Sequence, residues 1–405
     1  MKSSTTKSMV RWVRSMGRLR ALILVSALAL ATGCDQNPIE AEDPSMAARV
    51  TPSVAGRVIN DATGKAVAGA HVSIGAHTVT TGVNGRFEHT GLTPGPATIH
   101  GVAAGYVDFE ESVTVTSGGT QHDISLSRIE RFEFDNFALY VPGSAPTIRG
   151  VLLTLGGPDT RGFAIGSPFG APFPAVEAAL QALGQSFRAL AADEGLAVMG
   201  TSLAAMPNGP ASDQLLLSAL QQAAALSGRP ELTDAPLLLY GMSGGGPEAS
   251  GFTVRNPDRV AALFLKVPQT VETPGTREAL GVPTYIVMAE FDAFIDNAAL
   301  MTTFESSRSA GALWALALEP GMVHHSLSPA QQELTVNWIS EILNRRLKNP
   351  TRLSPLVAPS GWYGELASGA IGPWATYPGA HRSVSWLPSR QSVEEWQAFI
   401  GKGGS

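Results

Sequence analysis

The fold is decided by one stretch, APLLLYGMSGG at residues 235–245. Its first part is a continuous apolar run, which is typical of a strand buried on both faces in a parallel sheet. The run ends in GMSGG (241–245), a Gly-x-Ser-x-Gly motif, where a helix is expected to begin. A sharp turn between strand and helix requires small residues beside the serine, because larger neighbours would clash. We therefore predict that Ser243 projects its hydroxyl from the end of a central strand; a simple tight turn is the alternative.

Apolar runs and amphipathic helical stretches alternate on both sides of this motif. Alternation of this kind predicts βαβ units and a mostly parallel sheet, here over residues 130–348. The predicted strands are 150–157, 196–203, 235–243, 260–268, 283–292 and 313–321. The predicted helices are 174–194, 211–227, 297–309 and 328–347.

Two further motifs follow later strands of this region: AEFD (289–292) and GMVH (321–324). Together with GMSGG and the order of the strands, they resemble the α/β-hydrolase superfamily over residues 130–348. The resemblance implies an α/β-hydrolase fold and a Ser-His-Asp triad whose members occur in the chain order serine, acid, histidine. It assigns Ser243 as nucleophile, Asp292 as acid and His324 as base, and this chemistry requires no cofactor.

Several alternatives stay open for the base and the acid. His325 is adjacent to His324, and spacing alone does not separate the two; His381 lies beyond the last predicted helix of the region and is interpreted as a surface residue. Asp296 stands where a carboxylate is expected as a helix cap. Strand alternation points Glu290 away from the loop of the predicted acid.

Stabilisation of a tetrahedral intermediate requires preorganised N–H donors. Gly244, directly after the predicted nucleophile, supplies one. The second donor is expected from the loop LGGP (155–158). Because Pro158 has no N–H, the donor is Gly157 or a residue beyond the proline. The alternative is that the two glycines only form a turn. The next loop holds three phenylalanines that either wall an acyl or aryl pocket or pack beneath the loop: Phe163, Phe169 and Phe173.

The N-terminal residues have the features of an export signal. A basic stretch precedes an uncharged segment at 21–31, which is too short to span a bilayer but has the length of a signal-peptide core. ATGC (31–34) resembles a bacterial lipobox, which implies lipidation of Cys34, the only cysteine; a buried or free thiol is the alternative. We predict a lipoprotein signal peptide at 1–33, a lipidated cysteine and linker at 34–50, and a membrane-anchored position in the bacterial cell envelope, facing the periplasm or the cell surface.

Residues 51–129 predict a small all-β sandwich, with short β-prone runs separated by turn residues. Asn84-Gly85 predicts a tight hairpin turn before a strand whose Phe87 faces the core. The motifs GRV (56–58), NGRF (84–87) and AGY (104–106) resemble the carboxypeptidase regulatory-like (transthyretin/Ig-like) domain, which implies a non-catalytic spacer or binding element. Five histidines lack the spacing of metal ligands and are interpreted as strand residues, so no metal is expected: His71, His77, His89, His100 and His122.

Residues 349–405 are interpreted as a Trp-rich extension that packs on the hydrolase region. Four of the seven tryptophans lie here, and they are predicted either to be buried or to bind sugar rings or an acyl chain: Trp362, Trp374, Trp386 and Trp396. SVEEWQAF (392–399) predicts a short helix capped by Ser392.

Charge narrows the possible partners. The net charge is −6, and residues 1–33 hold six of the 28 basic residues but none of the 34 acidic ones. The exported chain is therefore more acidic than the full sequence. Nucleic acid, a polyanion, is not expected as a partner. The expected function is a lipid-anchored carboxylic-ester hydrolase acting through an acyl-enzyme on a small-molecule or polymeric ester. The alternatives are a serine peptidase of the same fold and a non-catalytic binding lipoprotein with a degenerate hydrolase domain. The sequence leaves the oligomeric state open.

Overall fold

A computed structural model of the protein describes residues 51–61, 63–157, 159–202, 209–348 and 353–401. The predicted signal peptide, Cys34 and the linker up to residue 50 lie outside these ranges. Within the described ranges, no helix combines the length and the apolar character that a membrane span requires.

The N-terminal part of the described chain is a β-sandwich of two four-stranded sheets. One sheet contains β1 (Ser53–Asn60), β4 (Arg86–Thr90), β7 (Thr120–Gln121) and β8 (Ile124–Leu126). The other has the order β3 (His77–Thr80), β2 (His71–Ile74), β5 (Gly95–Val102) and β6 (Phe109–Val115). Alternate residues of the strands, such as Val54, Val58 and Val72, are buried between the sheets. The predicted all-β domain is therefore present.

The turn at Asn84-Gly85 differs from the prediction. It is not a hairpin turn, because β3 before it pairs in one sheet and β4 after it pairs with β1 in the other. Gly85 has a φ of +72°, whereas Asn84 is outside the left-handed region. The turn thus carries the chain from one sheet to the other, and Phe87 enters the core as predicted.

The second part is built on an eight-stranded sheet. Its order is β16-β15-β14-β13-β11-β12-β10-β9. The strands are β9 (Arg131–Phe134), β10 (Phe137–Tyr140), β11 (Gly150–Gly156), β12 (Leu196–Thr201), β13 (Leu237–Met242), β14 (Val260–Lys266), β15 (Thr284–Ala289) and β16 (Trp314–Glu319). β11 to β16 pair in parallel, and β10 pairs antiparallel with β9 and β12. The six predicted strands are present with shorter ends; β9 and β10 were not predicted.

Helices cover both faces of this sheet. They are α1 (Arg161–Ile165), α2 (Pro174–Glu194), α3 (Pro210–Ser227), α4 (Gly245–Arg255), α5 (Arg277–Leu280), α6 (Asn297–Ser309) and α7 (Pro329–Arg346). In β13, Leu237 and Leu239 pack on the side of α3, α4 and α6, while Leu238 and Tyr240 pack on the side of α2 and α7. Burial on both faces explains why the strands read as continuous apolar runs.

The C-terminal segment packs on the edge of the sheet at β16. It forms β17 (Trp362–Glu365), β18 (Ile371–Pro373), β19 (Val384–Leu387) and α8 (Arg390–Phe399). Trp374, Trp386 and Trp396 are buried, and the Trp396 Nε1 donates to the Leu316 carbonyl of β16 at 2.7 Å. For these three tryptophans, the structure agrees with burial, the first of the two predicted roles.

Two details of this segment correct the sequence analysis. Helix α8 begins three residues earlier than predicted, because the Ser389 hydroxyl, and not that of Ser392, accepts the capping N–H. His381 is half-buried and stacks on the Trp374 ring at a centroid distance of 4.2 Å, so it is a packing residue of the segment instead of a free surface residue.

The sandwich contacts the α/β part at the end of α3. The Arg128 guanidinium lies 4.6 Å from the centre of the Tyr106 ring and donates to the Ser227 carbonyl at 3.2 Å. Gly105 packs against the same carbonyl so closely that a Cβ atom would overlap it, and its φ of +78° also favours glycine.

Candidate active site

Ser243 lies in the turn between β13 and α4, as the motif predicts. Its φ of +53° falls in the left-handed region, which non-glycine residues rarely adopt. The Ser243 N–H donates to the Lys266 carbonyl at 3.0 Å, and the Gly246 N–H donates back to the Ser243 carbonyl at 3.0 Å. Gly245 permits α4 to start against the end of β11, because a Cβ atom there would overlap the Leu155 carbonyl. The strained turn is therefore held from both sides.

Ser243, His324 and Asp292 form one hydrogen-bonded chain. The Ser243 Oγ lies 2.9 Å from the His324 Nε2, and the His324 Nδ1 lies 2.8 Å from the Asp292 Oδ2. The other carboxylate oxygen, Oδ1, accepts the N–H groups of Phe294 and Ile295 at 2.8 and 3.1 Å. The Asp292 side chain is fully buried and that of His324 is 9% exposed. An acid bound at Nδ1 leaves Nε2 to accept a proton from the serine.

Topology explains why residues so distant in sequence meet. Ser243 follows β13, Asp292 follows β15 and His324 follows β16, all at the carboxyl ends of parallel strands of one sheet. Loops at these ends gather at one edge, where open α/β sheets usually bind their ligands. The GMSGG, AEFD and GMVH motifs therefore occupy a single site.

Lys266, which the sequence analysis missed, lies within this site. It is the last residue of β14, between the strands that carry Ser243 and Asp292, and it is 2% exposed. Its Nζ donates to the His324 carbonyl at 2.9 Å and so fastens the backbone of the histidine. Burial lowers the pKa of Lys266 to about 8, although the nearby Glu319 and Asp292 carboxylates oppose the shift. The sequence feature that could have revealed Lys266 is a single lysine within the apolar run VAALFLKVP (260–268).

The buried lysine predicts a pH-dependent stability difference between the protein and Lys266→Met. In the unfolded chain a lysine pKa is about 10.4, so between pH 8 and 10 the unfolded state binds more protons than the folded state. The free energy of unfolding of the wild type should therefore rise relative to Lys266→Met, by about 2 kcal/mol from pH 7 to pH 10. Urea denaturation of both proteins at both pH values measures this change. A difference that stays constant with pH would show that Lys266 titrates as an exposed lysine does.

Gly157 and Gly244, the two predicted N–H donors, both lie next to Ser243. β11 ends at Gly156, opposite Met242 in the sheet register, so Gly157 lies beside Ser243. A Cβ atom at residue 157 would lie 4.0 Å from the Ser243 Oγ. Neither amide donates a hydrogen bond to another residue that the structure describes. Pro158 lies outside the described residues.

A cavity of about 280 Å³ opens beside Ser243. Its walls are mostly apolar and come from the loop before α2, from α2 itself, from the ends of β13 and β14 and from the loop before α7: Gly170, Ala171, Pro172, Val176, Leu180, Met242, Val267 and Leu327. Of the three phenylalanines with two proposed roles, Phe163 and Phe169 pack beneath the loop in the core, and Phe173 is 55% exposed. The aliphatic residues therefore form most of the wall.

The alternative residues have other positions. Asp296 caps α6 by accepting the N–H groups of Ala298 and Ala299, both at 3.0 Å, as expected. The Glu290 carboxylate accepts the Gly321 N–H at 2.7 Å. His325 is exposed at the cavity mouth, and its ring centre lies 5.0 Å from that of His324. Within the described chain, no set of three His, Cys, Asp or Glu side chains is arranged to hold a metal ion.

The comparison with known families matches only the β-sandwich. Residues 53–127 match the model of the carboxypeptidase regulatory-like domain. This match confirms the resemblance predicted for residues 51–129, and it leaves the α/β part and the C-terminal segment uncovered. No curated protein matches the chain.

Several solved structures that are similar to the chain are esterases. A cold-adapted esterase from an Arctic intertidal metagenomic library is 13% identical, with 53% of this chain and 92% of that chain covered and a TM-score of 0.34. The esterase PE8 is 15% identical, with 53% and 100% covered and a TM-score of 0.35. A fungal esterase from Rhizomucor miehei is 16% identical, with 53% and 82% covered and a TM-score of 0.36. Similarity this low assigns no residue of the site, whose roles depend on the geometry above.

Proposed function

We propose that the protein is a serine hydrolase of the α/β-hydrolase fold that cleaves carboxylic esters. The observation that carries the proposal is the hydrogen-bonded chain from the Ser243 Oγ through His324 to Asp292 at the carboxyl edge of the sheet. A serine hydroxyl is a weak nucleophile unless a base accepts its proton, and this arrangement supplies both the base and the acid that orients it.

The geometry supports acyl transfer in two steps. His324 accepts the Ser243 proton through Nε2 while Oγ attacks the ester carbonyl carbon, and the carbonyl oxygen becomes an oxyanion next to the Gly157 and Gly244 amides. The intermediate collapses when His324 passes the proton to the leaving alcohol. Water then attacks the acyl-enzyme with His324 as base, and the acid leaves when His324 returns the proton to the Ser243 Oγ.

Two features favour an ester over a peptide or a purely binding role. The cavity beside Ser243 is small and lined mostly by aliphatic side chains, which suits an acyl chain better than a polypeptide with its many polar groups. His324 lies within hydrogen-bond distance of both Ser243 and Asp292, whereas a degenerate site would leave the three side chains apart.

The proposal is tested with the purified full-length protein on p-nitrophenyl esters of increasing acyl length and on p-nitroanilide peptides. We expect turnover of the esters, falling once the acyl chain exceeds the cavity, and little or no cleavage of the anilides. Cleavage of the anilides at rates equal to those of the esters would favour the peptidase alternative. No turnover by the folded protein would favour a binding role.

We further propose that lipidated Cys34 anchors the protein to a membrane of the bacterial cell envelope. The proposal is supported by the sequence ATGC (31–34) after a short uncharged segment and by the linker composition. Cys34→Ser is expected to move the protein from the membrane fraction to the soluble fraction of the producing bacterium without changing kcat for a soluble ester. A mutant that remained in the membrane fraction would contradict this anchor.

A further inference from the structure

Exposed apolar side chains gather at the mouth of the candidate active site. Phe173 is 55% exposed, Phe294 is 71% exposed and Val323 is 50% exposed. Single exposed apolar residues are ordinary, but a group of them around a cavity commonly marks a binding surface. We call Phe173, Phe294 and His325 the aromatic rim.

The rings of the rim stand against the predicted base. The Phe294 ring centre lies 5.1 Å from that of His324 and 5.5 Å from that of His325. Phe173 extends the group from His325, at a centroid distance of 6.3 Å. These distances lie in the range of ordinary aromatic contacts. The rim therefore flanks the His324 ring.

The backbone holds Phe294 in this place. Its N–H donates to the Asp292 Oδ1 at 2.8 Å, so the rim is attached to the same carboxylate that orients His324. A substitution of the Phe294 side chain leaves this backbone bond available. The rim side chain can thus be removed without removing a side-chain hydrogen bond of the site.

The chemistry of ester cleavage determines which part of a substrate meets the rim. His324 must pass its proton from Nε2 to the leaving oxygen, so that oxygen lies within hydrogen-bond distance of Nε2. The carbon atoms attached to the leaving oxygen then lie next to the groups that flank His324. The acyl part is then expected in the cavity beside Ser243, whose wall is mostly aliphatic.

We propose that the aromatic rim is the subsite for the alcohol part of the ester and that it selects aromatic or bulky apolar alcohols. This inference rests on the proposed esterase function and adds the substrate class. The rim offers ring faces and one polar side chain, that of His325, whereas a sugar alcohol would require several hydrogen-bond partners. Partial burial and the nearby His324 and Lys266 lower the pKa of His325, which favours its uncharged form.

The test compares benzyl acetate with ethyl acetate, which share an acyl group and differ in the alcohol. In Phe294→Ala, the ratio of kcat/KM for benzyl acetate to kcat/KM for ethyl acetate should fall about 10-fold, a size typical of a lost aromatic contact together with its burial. The value for ethyl acetate should fall by a clearly smaller factor, because an ethyl group offers the ring less apolar surface than a benzyl group does. Phe173→Ala should reduce the same ratio by a smaller factor.

The chain offers a matched control in Phe291. It is a phenylalanine of the same loop, is 61% exposed and does not take part in the ring contacts around the two histidines. Phe291→Ala should leave the ratio unchanged. An unchanged ratio in Phe294→Ala, or an equal loss for both esters, would overturn the subsite while leaving the esterase function in place. A folded wild type that cleaves neither ester would overturn the proposed function itself.

Discussion

Ser243→Ala is expected to lower kcat for ester hydrolysis by at least about 10⁴-fold, because the nucleophile is lost and only binding and the oxyanion donors remain. The fold should be retained, since the hydroxyl has one side-chain hydrogen bond within the described residues, to His324, and the turn is held by backbone contacts that alanine keeps. Steady-state kinetics on a p-nitrophenyl ester and the thermal midpoint of the same preparation measure the two effects.

Ser306→Ala is the matched control for this substitution, because Ser306 is an exposed serine on α6 outside the site. Its kcat should equal that of the wild type. Retention of more than a few per cent of wild-type activity by Ser243→Ala would show that another residue acts as the nucleophile.

The second large effect separates two adjacent histidines. His324→Ala is expected to lower kcat by on the order of 10⁵-fold, because the base and later proton donor is removed. His325→Ala should lower kcat by less than about 10-fold, because the structure places its ring at the cavity mouth without a hydrogen bond to Ser243 among the described contacts. Each substitution serves as the control for the other.

We would measure kcat of both variants at saturating ester and use circular dichroism to confirm that both variants fold. Equal and mild losses in both variants would remove His324 from its role as base. A larger loss in His325→Ala would assign that role to the neighbour.

The sequence correctly predicted those features that depend mainly on residues close together in the chain. The GMSGG motif predicted a strained turn because only small residues fit there, and Ser243 occupies it. Continuous apolar runs predicted the six central strands because helices cover both faces of the sheet. The capping role of Asp296 followed in the same way from helix-terminus chemistry.

Tertiary packing decided what the sequence left open. Spacing does not tell which of His324 and His325 turns towards Ser243, and the choice depends on Asp292 and on the Lys266 bond to the His324 backbone. The prediction of a hairpin turn at Asn84-Gly85 was wrong, because the turn residues do not determine which sheet the next strand joins. Phe163 and Phe169 pack in the core for a similar reason, since α2 and Tyr240 lie beneath their loop.

The most direct test of the proposed serine hydrolase is labelling of the purified full-length protein with a fluorophosphonate probe, followed by mass spectrometry of the labelled peptide. We predict a single label on Ser243, which is lost when the protein is denatured and in His324→Ala. Absence of a label on the folded protein, or a label on a different residue, would contradict the assignment of Ser243 as an activated nucleophile.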